Sequence, residues 1–236
     1  ATDRARRVPE CGPALPQPMT PLHVPEHPVR VVTAASLFDG HDAAINVVRR
    51  VLQSQGAEVI HLGHNRSVDD VVGAAVEEDV AAVAISSYQG GHVEYFEYLV
   101  ERLRAEGMAD VRVYGGGGGV ISPAERERLA GSGVRIFSPE DGQQLGLAPM
   151  INTIIAECDR PPAAVGDEVL DALLSGSPHA LARTLTAIES GLLAPSSEAE
   201  LAAAAGRRAV QVLGVTGTGG SGKSSLTDEL ILRLRL

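Results

Sequence analysis

Val29–Gln55 reads VRVVTAASLFDGHDAAINVVRRVLQSQ, and its three parts decide what kind of chain this is. Val29–Ser36 is an apolar run of β type. Ala43–Gln55 places Ile45, Val48, Val51 and Leu52 on one face at helical spacing. Between them Phe38-Asp39-Gly40-His41-Asp42 forms a short polar loop. Strand, polar loop and amphipathic helix together are the opening of a βα repeat.

The alternation continues. Ala57–Leu62 is predicted as a strand, and Ser67 caps a helix to about Glu78, with Asp69 and Asp70 in the turn where the helix dipole favours anions. Val80–Ser86, Val111–Tyr114 and Val134–Phe137 are further strands; His92–Glu106, Pro123–Leu129 and Asp141–Glu157 are the helices that follow them. Five strands, each followed by a helix, predict an α/β fold at residues 29–158. It is a flavodoxin-like, doubly wound, five-stranded parallel sheet covered on both faces.

The flanks read differently. Residues 1–28 carry Pro9, Pro13, Pro16, Pro18, Pro21, Pro25 and Pro28, which predicts a leader that neither pairs into a sheet nor runs as a helix. Residues 159–166, with Pro161 and Pro162, read as a linker. Residues 167–236 hold helices, among them Pro178–Gly191 with Leu181, Leu185, Ile188 and Leu192 on one stripe. Val210–Thr216 is then predicted as a strand, Gly217–Gly222 as a glycine-rich turn and Lys223 onward as a helix. These are the first pieces of a second, incomplete P-loop α/β domain. A chain that starts at Ala1 and stops inside a helix at Leu236 is expected to be part of a longer polypeptide.

Composition narrows the function. With 44% hydrophobic and 21% charged residues the chain can bury real cores, yet aromatics are only 3% and Trp is absent. The cores must therefore be built from Val, Leu, Ile and Ala. A formal net charge of −10 argues against a nucleic-acid partner, which needs a basic face. No apolar run is long enough to span a bilayer and no secretory signal is visible, so no membrane role and a cytoplasmic location are expected. Cys11 and Cys158 lie too far apart to specify a disulfide framework or a zinc site.

In a doubly wound sheet, ligands bind beyond the carboxyl ends of the strands at the point where strand order reverses. Three unusual loops converge there: Phe38–Ala44 after the first strand, Ser86-Ser87-Tyr88-Gln89-Gly90-Gly91-His92 after the third, and Gly115–Gly119 after the fourth. A phosphoacceptor receiver would need Asp where Ser86 stands and Lys near Ser138-Pro139. A flavin-phosphate loop would need hydroxyls that Leu37–Asp42 lacks. Both readings fail.

The same residues carry a resemblance. Asp39-Gly40-His41-Asp42, Ser86 and Gly118-Gly119 resemble the D-x-H-x-x-G, S-x-L and G-G motifs of cobalamin-binding domains, most closely the acyl-CoA mutase branch. Ala44 and Tyr88 depart from it, standing where those motifs have Gly and Leu. The resemblance implies that His41 is the lower axial ligand to cobalt in a cofactor bound base-off. Asp39 would accept the other ring N–H of His41 and so fix its tautomer. Ser86 would hydrogen-bond the displaced nucleotide tail, and the glycine run would let the tail lie against bare backbone. Alternatives stay open: Ser86 as a strand-end serine, Gly115–Gly119 as a flexible loop, and His92 as a helix opener rather than a pocket residue. His23, His27, His61, His64 and His179 show no partners at recognisable spacing and read as surface residues.

Gly217-Thr218-Gly219-Gly220-Ser221-Gly222-Lys223-Ser224, with Ser225 after it, satisfies G-x-x-x-x-G-K-[ST]. Loop amides would cradle phosphates, Lys223 would reach the β/γ oxygens and Ser224 would ligate Mg²⁺. Val169–Gly176 and Leu181–Ser190 resemble the helical start of the small GTPase chaperones that service cobalamin mutases. The whole arrangement resembles the amino-terminal part of the fused isobutyryl-CoA mutases. That implies adenosylcobalamin, GTP and Mg²⁺ as cofactors, an acyl-CoA substrate held by a barrel outside this chain, a homodimer, and no catalytic residue here. The rival readings are a cobalamin carrier or sensor module coupled to a P-loop NTPase, and a P-loop NTPase whose first domain has lost its ligand.

Overall fold

A computed structural model describes residues 21–207 and 210–234; most of the proline-rich leader, Cys11 included, lies outside the described residues. The contacts divide the chain into a unit ending at Leu193 and another beginning at Ala194.

The first unit runs β1 (Arg30–Ser36), α1 (Ala43–Ser54), β2 (Glu58–Arg66), α2 (Val68–Glu77), β3 (Ala82–Ser86), α3 (His92–Ala105), β4 (Arg112–Gly116), α4 (Pro123–Gly131), β5 (Val134–Phe137), α5 (Pro139–Leu145), α6 (Leu147–Cys158), α7 (Asp167–Leu174) and α8 (Pro178–Glu189). All strand pairs are parallel and their order is β2-β1-β3-β4-β5, the flavodoxin-like winding with its reversal between β1 and β3. Successive residues of β1 face opposite ways, as the pleat requires. Val32 and Ala34 join Val71, Ala75, Phe96, Leu99 and Leu129 under α2, α3 and α4. Val29 and Val31 join Leu52, Ile151, Ile154 and Ile155 under α1 and α6. Two aliphatic cores, one on each face, are what the aromatic-poor composition led one to expect.

Local chemistry places the helix starts. Ser67, Ser122 and Ser138 each accept the amide of the residue three positions on, and Asp70, Glu125 and Asp141 return a carboxylate to the serine's own amide. Each such box is worth about 1 kcal/mol.

The structure corrects two expectations about elements. The predicted helix at 141–157 is two helices, because Gly146 adopts φ 81° and ψ 150°, a conformation open to glycine and not to L side chains. It breaks the ladder and re-aims α6 along the sheet. The predicted strand at Val210–Thr216 is not formed: the segment has no regular structure and is exposed throughout. A lone β segment has no ladder to satisfy its amides, so propensity alone does not make it a strand. Among the described residues no strand leads into the glycine-rich turn. In this second unit α9 (Pro195–Gly206) and α10 (Lys223–Leu234) are helical, and α10 buries no residue. Helices α7 and α8 fall in the first unit, where Ala180, Ala182 and Ala187 are buried and α8 packs on α2.

The last residues of the leader are pinned. Asp159, just past α6, accepts from the amides of Glu26 and His27 and lies 2.9 Å from His27 Nδ1 and 2.7 Å from His23 Nε2. Asn152 binds both the amide and the carbonyl of His23. His23 and His27 are thus paired, against the sequence reading, because their partner lies more than 130 residues away. Burial alone would raise the Asp159 carboxyl; these donors outweigh it and hold it far below the ordinary carboxylate range. His61 and His179 also have neighbours: Thr33 Oγ1 lies 2.9 Å from His61 Nδ1 and Asp79 Oδ1 lies 3.9 Å from His179 Nε2. His64 is exposed, as expected.

Candidate functional site

At the carboxyl edge of the sheet, the loop after β1 is built around Asp39. This carboxylate is almost completely buried, at 1% exposure. Burial of an unpaired carboxylate costs several kcal/mol, and the loop answers it with hydrogen bonds. Oδ1 accepts the His41 amide at 2.8 Å and meets His41 Nδ1 at 2.8 Å; Oδ2 accepts the Tyr88 amide at 2.5 Å. Desolvation pushes the Asp39 pKa up, but the Tyr88 and His41 bonds prevail and hold it below the usual value. An ionised Asp39 can only accept, so Nδ1 of His41 carries the hydrogen, and in the neutral ring that leaves the lone pair on Nε2. The His41 side chain is 76% exposed. A neutral imidazole with one nitrogen fixed and the other presented outward is the form a metal requires. Among the described residues no group of three or more His, Cys, Asp or Glu could hold a metal ion.

Beside His41 opens a cavity of about 430 Å³. Ala44, Ile45, Val47 and Val48 of α1 line it, with Leu147, Met150, Ile151 and Ile154 of α6 opposite. Its floor is Ser86 and Gly115–Gly118. Tyr88 stands at its edge, the ring centroid 5.6 Å from that of His41. In this apolar chamber Ser86 Oγ is buried and has no hydrogen-bond partner. An orphaned buried hydroxyl costs about 1–3 kcal/mol, so it marks where a polar ligand atom would be received. A ring nitrogen held outward at the mouth, a deep apolar chamber and one waiting hydroxyl fit a corrinoid whose nucleotide tail has left the metal.

The other sequence-predicted residues fall out as follows. Gly40 is exposed, with nothing within 4 Å of the place its Cβ would take. Asp42 occupies the position before α1 but makes no capping bond, and it lies outside the cavity wall. Gly118 lines the cavity; Gly119 lines a smaller neighbouring one of about 150 Å³. The glycine run is also demanded by the protein itself. A Cβ on Gly115 would come within 2.5 Å of Phe96 and Ile136, one on Gly117 would overlap the Ser87 carbonyl, and one on Gly118 would overlap the Tyr88 ring. His92 is buried, with Nδ1 3.0 Å from the Gln89 carbonyl and Nε2 3.3 Å from Glu125. It is a bracing residue and does not line the chamber.

Sequence reasoning missed the brackets that hold the loops. Asn65 Oδ1 accepts the Phe38 amide at 2.8 Å, Gln89 donates to the Leu37 carbonyl, and Ser36 donates to Ser87 at 2.9 Å. Nothing local announces Asn65; only the pairing of β2 with β1 brings it there. The cavity face of α6, Met150, Ile151 and Ile154, depends on the break at Gly146.

The P-loop segment has partial geometry. Gly220 and Gly222 are left-handed at φ 74° and 80°, and the loop leads directly into α10 with Ser224 and Ser225 in its first turn. Lys223 Nζ donates to the Thr218 carbonyl at 2.6 Å and the Ser221 amide to the same carbonyl at 3.3 Å. Gly217, Gly219 and Ser221 are exposed.

A B12-binding domain profile matches residues 29–142. The fused isobutyryl-CoA mutase of Nocardia farcinica is 65% identical over 214 residues, covering 91% of this chain and 20% of that protein. Its counterpart from Cupriavidus metallidurans is 57% identical over 220 residues, covering 93% and 20%. The pivalyl-CoA mutase small subunit of Xanthobacter autotrophicus is 36% identical over 119 residues, covering 50% of this chain and 78% of the subunit. The chain spans about a fifth of the length of the fused mutases it matches. With the profile on the flavodoxin-like sheet and 78% of the pivalyl-CoA mutase small subunit covered, the chain belongs with the B12-binding parts of the acyl-CoA mutases, and over nine-tenths of its length it is similar to a fifth of the fused isobutyryl-CoA mutases.

Proposed function

We propose that this chain holds adenosylcobalamin base-off, with His41 as the lower cobalt ligand, on behalf of an acyl-CoA carbon-skeleton isomerase acting in the cytoplasm. The observation that carries the reading is the Asp39–His41 pair next to Tyr88, on the edge of a chamber in which the Ser86 hydroxyl is buried without a partner. When bound, the cofactor supplies the radical chemistry of the rearrangement. The chain's own residues bind and orient. Asp39 holds the proton on His41 Nδ1 and so keeps Nε2 as a donor. Ser86 would hydrogen-bond the nucleotide tail, and Ile45, Val48, Met150 and Ile154 would line its chamber. Tyr88, beside His41, would border the tail, and Gly118 leaves room for the Tyr88 ring.

In the same reading the P-loop residues Gly217, Gly219, Gly220, Ser221, Gly222, Lys223, Ser224 and Ser225 begin a GTPase chaperone domain, with Ser224 as a Mg²⁺ ligand. Domains divide at 29–158, 159–166 and 167–236. Acyl-CoA binding and the homodimer contact belong to other parts of such proteins.

The test is an absorption titration of the chain with adenosylcobalamin. A base-off spectrum with nitrogen ligation that His41→Ala abolishes supports the reading. A cofactor that keeps its own base on cobalt, or binds the His41→Ala variant equally, sinks it.

A further inference from the structure

The chain has only three phenylalanines. Phe96 is wholly buried, Phe137 packs on Tyr114, and Phe38 is 80% exposed. Among the described residues of the first unit it is the most exposed large apolar side chain. Its backbone is also left-handed, at φ 64°, a conformation that disfavours L side chains by about 1–2 kcal/mol and suits Gly or Asn far better. The structure holds it there deliberately. Asn65, itself left-handed at φ 55°, takes the Phe38 amide and gives its own amide to the Asp39 carbonyl at 3.2 Å. Gln89 clamps the preceding carbonyl from the other side.

Strain and exposure both count against Phe38 in the unliganded protein, its ring being left 80% exposed. Backbone strain that the surroundings over-determine is a pointer to function. Phe38 lies three residues before His41, so their Cα atoms are at most about 11 Å apart. Both side chains are exposed on one short loop at the carboxyl edge of the sheet; Asp39 holds the His41 ring, while Asn65 and Gln89 hold the backbone at Phe38 and Leu37. The loop thus carries one nitrogen donor and one flat apolar plate.

We propose that Phe38 is a ligand-contacting residue: its phenyl ring packs against the broad apolar face or rim of the planar macrocycle whose metal His41 ligates. It sets the tilt of that macrocycle on the imidazole. This rests on the cobalamin reading above and adds to it a contact outside the three family motifs.

The experiment compares the parent chain with Phe38→Asn, Phe38→Tyr and His41→Ala, measuring unliganded melting temperature and cobalamin affinity by absorption. Asn is at home in left-handed backbone, so Phe38→Asn melts at the parent temperature or about 2–4 °C above it. It binds cobalamin about tenfold more weakly while keeping the histidine-ligated spectrum, because an apolar contact of half a phenyl ring is lost. Phe38→Tyr keeps the ring and binds as the parent does. If Phe38→Asn binds as tightly as the parent while His41→Ala does not, the ring has no ligand role and this inference alone is overturned. If the parent shows no histidine ligation at all, the cobalamin reading and this inference fall together.

Discussion

The protein has two glycine runs, Gly115–Gly119 and Gly217–Gly222, and they are held in opposite ways. Around the first, neighbours leave no room for side chains: Phe96 and Ile136 close on Gly115, the Ser87 carbonyl on Gly117 and Tyr88 on Gly118. Around the second, Gly219, Gly220 and Gly222 have nothing within 4 Å of a Cβ position, although Gly217 lies close to Ser221 and Lys223. One loop is fixed because a sheet and two cores are packed behind it. The other has a helix after it and an unpaired segment before it. Glycine spacing announces both motifs equally; packing distinguishes a formed chamber from a loop that awaits partners.

The comparison can be broken most directly at Gly117. Gly117→Ala should cost about 3 kcal/mol by overpacking and lower the melting temperature by roughly 10 °C. The matching Gly219→Ala should leave melting unchanged in the same scan. Equal losses at both positions would mean that the second loop is packed as well.

Next in size is the buried pair. Asp39→Asn keeps the shape of the loop but removes the charge that fixes His41, and should weaken cobalamin binding about 10–100-fold, read by absorption titration. Undiminished affinity would reduce Asp39 to a loop-shaping role. Ser86→Ala should be nearly neutral in the unliganded protein, since the hydroxyl has no partner to lose. It should cost about five- to tenfold in affinity once a tail is to be received. A loss of stability without a loss of affinity would show that Ser86 has an internal partner instead.

Acid acts on the strap at residues 21–28. Asp159 has its pKa depressed in the fold by the Glu26 and His27 amides and the two imidazoles. Its contribution is complete above the unfolded value near 4 and is lost as pH falls below it. Melting of the parent should therefore fall more steeply than that of Asp159→Asn as pH is lowered from about 5 to 3. Parallel curves would show that the strap adds nothing. Smallest of all is Lys223→Ala, which should leave melting unmoved and remove only weak GTP binding, measured by fluorescence of a labelled nucleotide. Phosphate release from GTP that this variant abolishes would contradict the expectation that the segment Gly217–Ser225 binds nucleotide without turning it over.

Much of the sheet unit was legible because its signals are local and repeated. Alternating apolar strands, the Ser67 cap and polar loops at the strand ends located β1 through β5 and the Asp39–His41 loop; the caps at Ser122 and Ser138 went unread. What escaped depended on long-range neighbours. The partner of His23 and His27 is Asp159, and the bracket for Phe38 is Asn65, reachable only once β2 lies beside β1. The break at Gly146 was invisible in an apolar pattern that runs across it. The run Val210–Thr216 misled for the converse reason: its β propensity is real, but no neighbouring strand is there to receive it.

The central claim, that His41 ligates cobalt, is tested most directly by electron paramagnetic resonance of the cobalamin-loaded chain in its Co(II) form, prepared with and without ¹⁵N-histidine. The account predicts that the triplet nitrogen splitting of the unlabelled sample becomes a doublet in the labelled one. A triplet that persists in the labelled protein would mean that the cofactor's own base remains on the metal, and would contradict it.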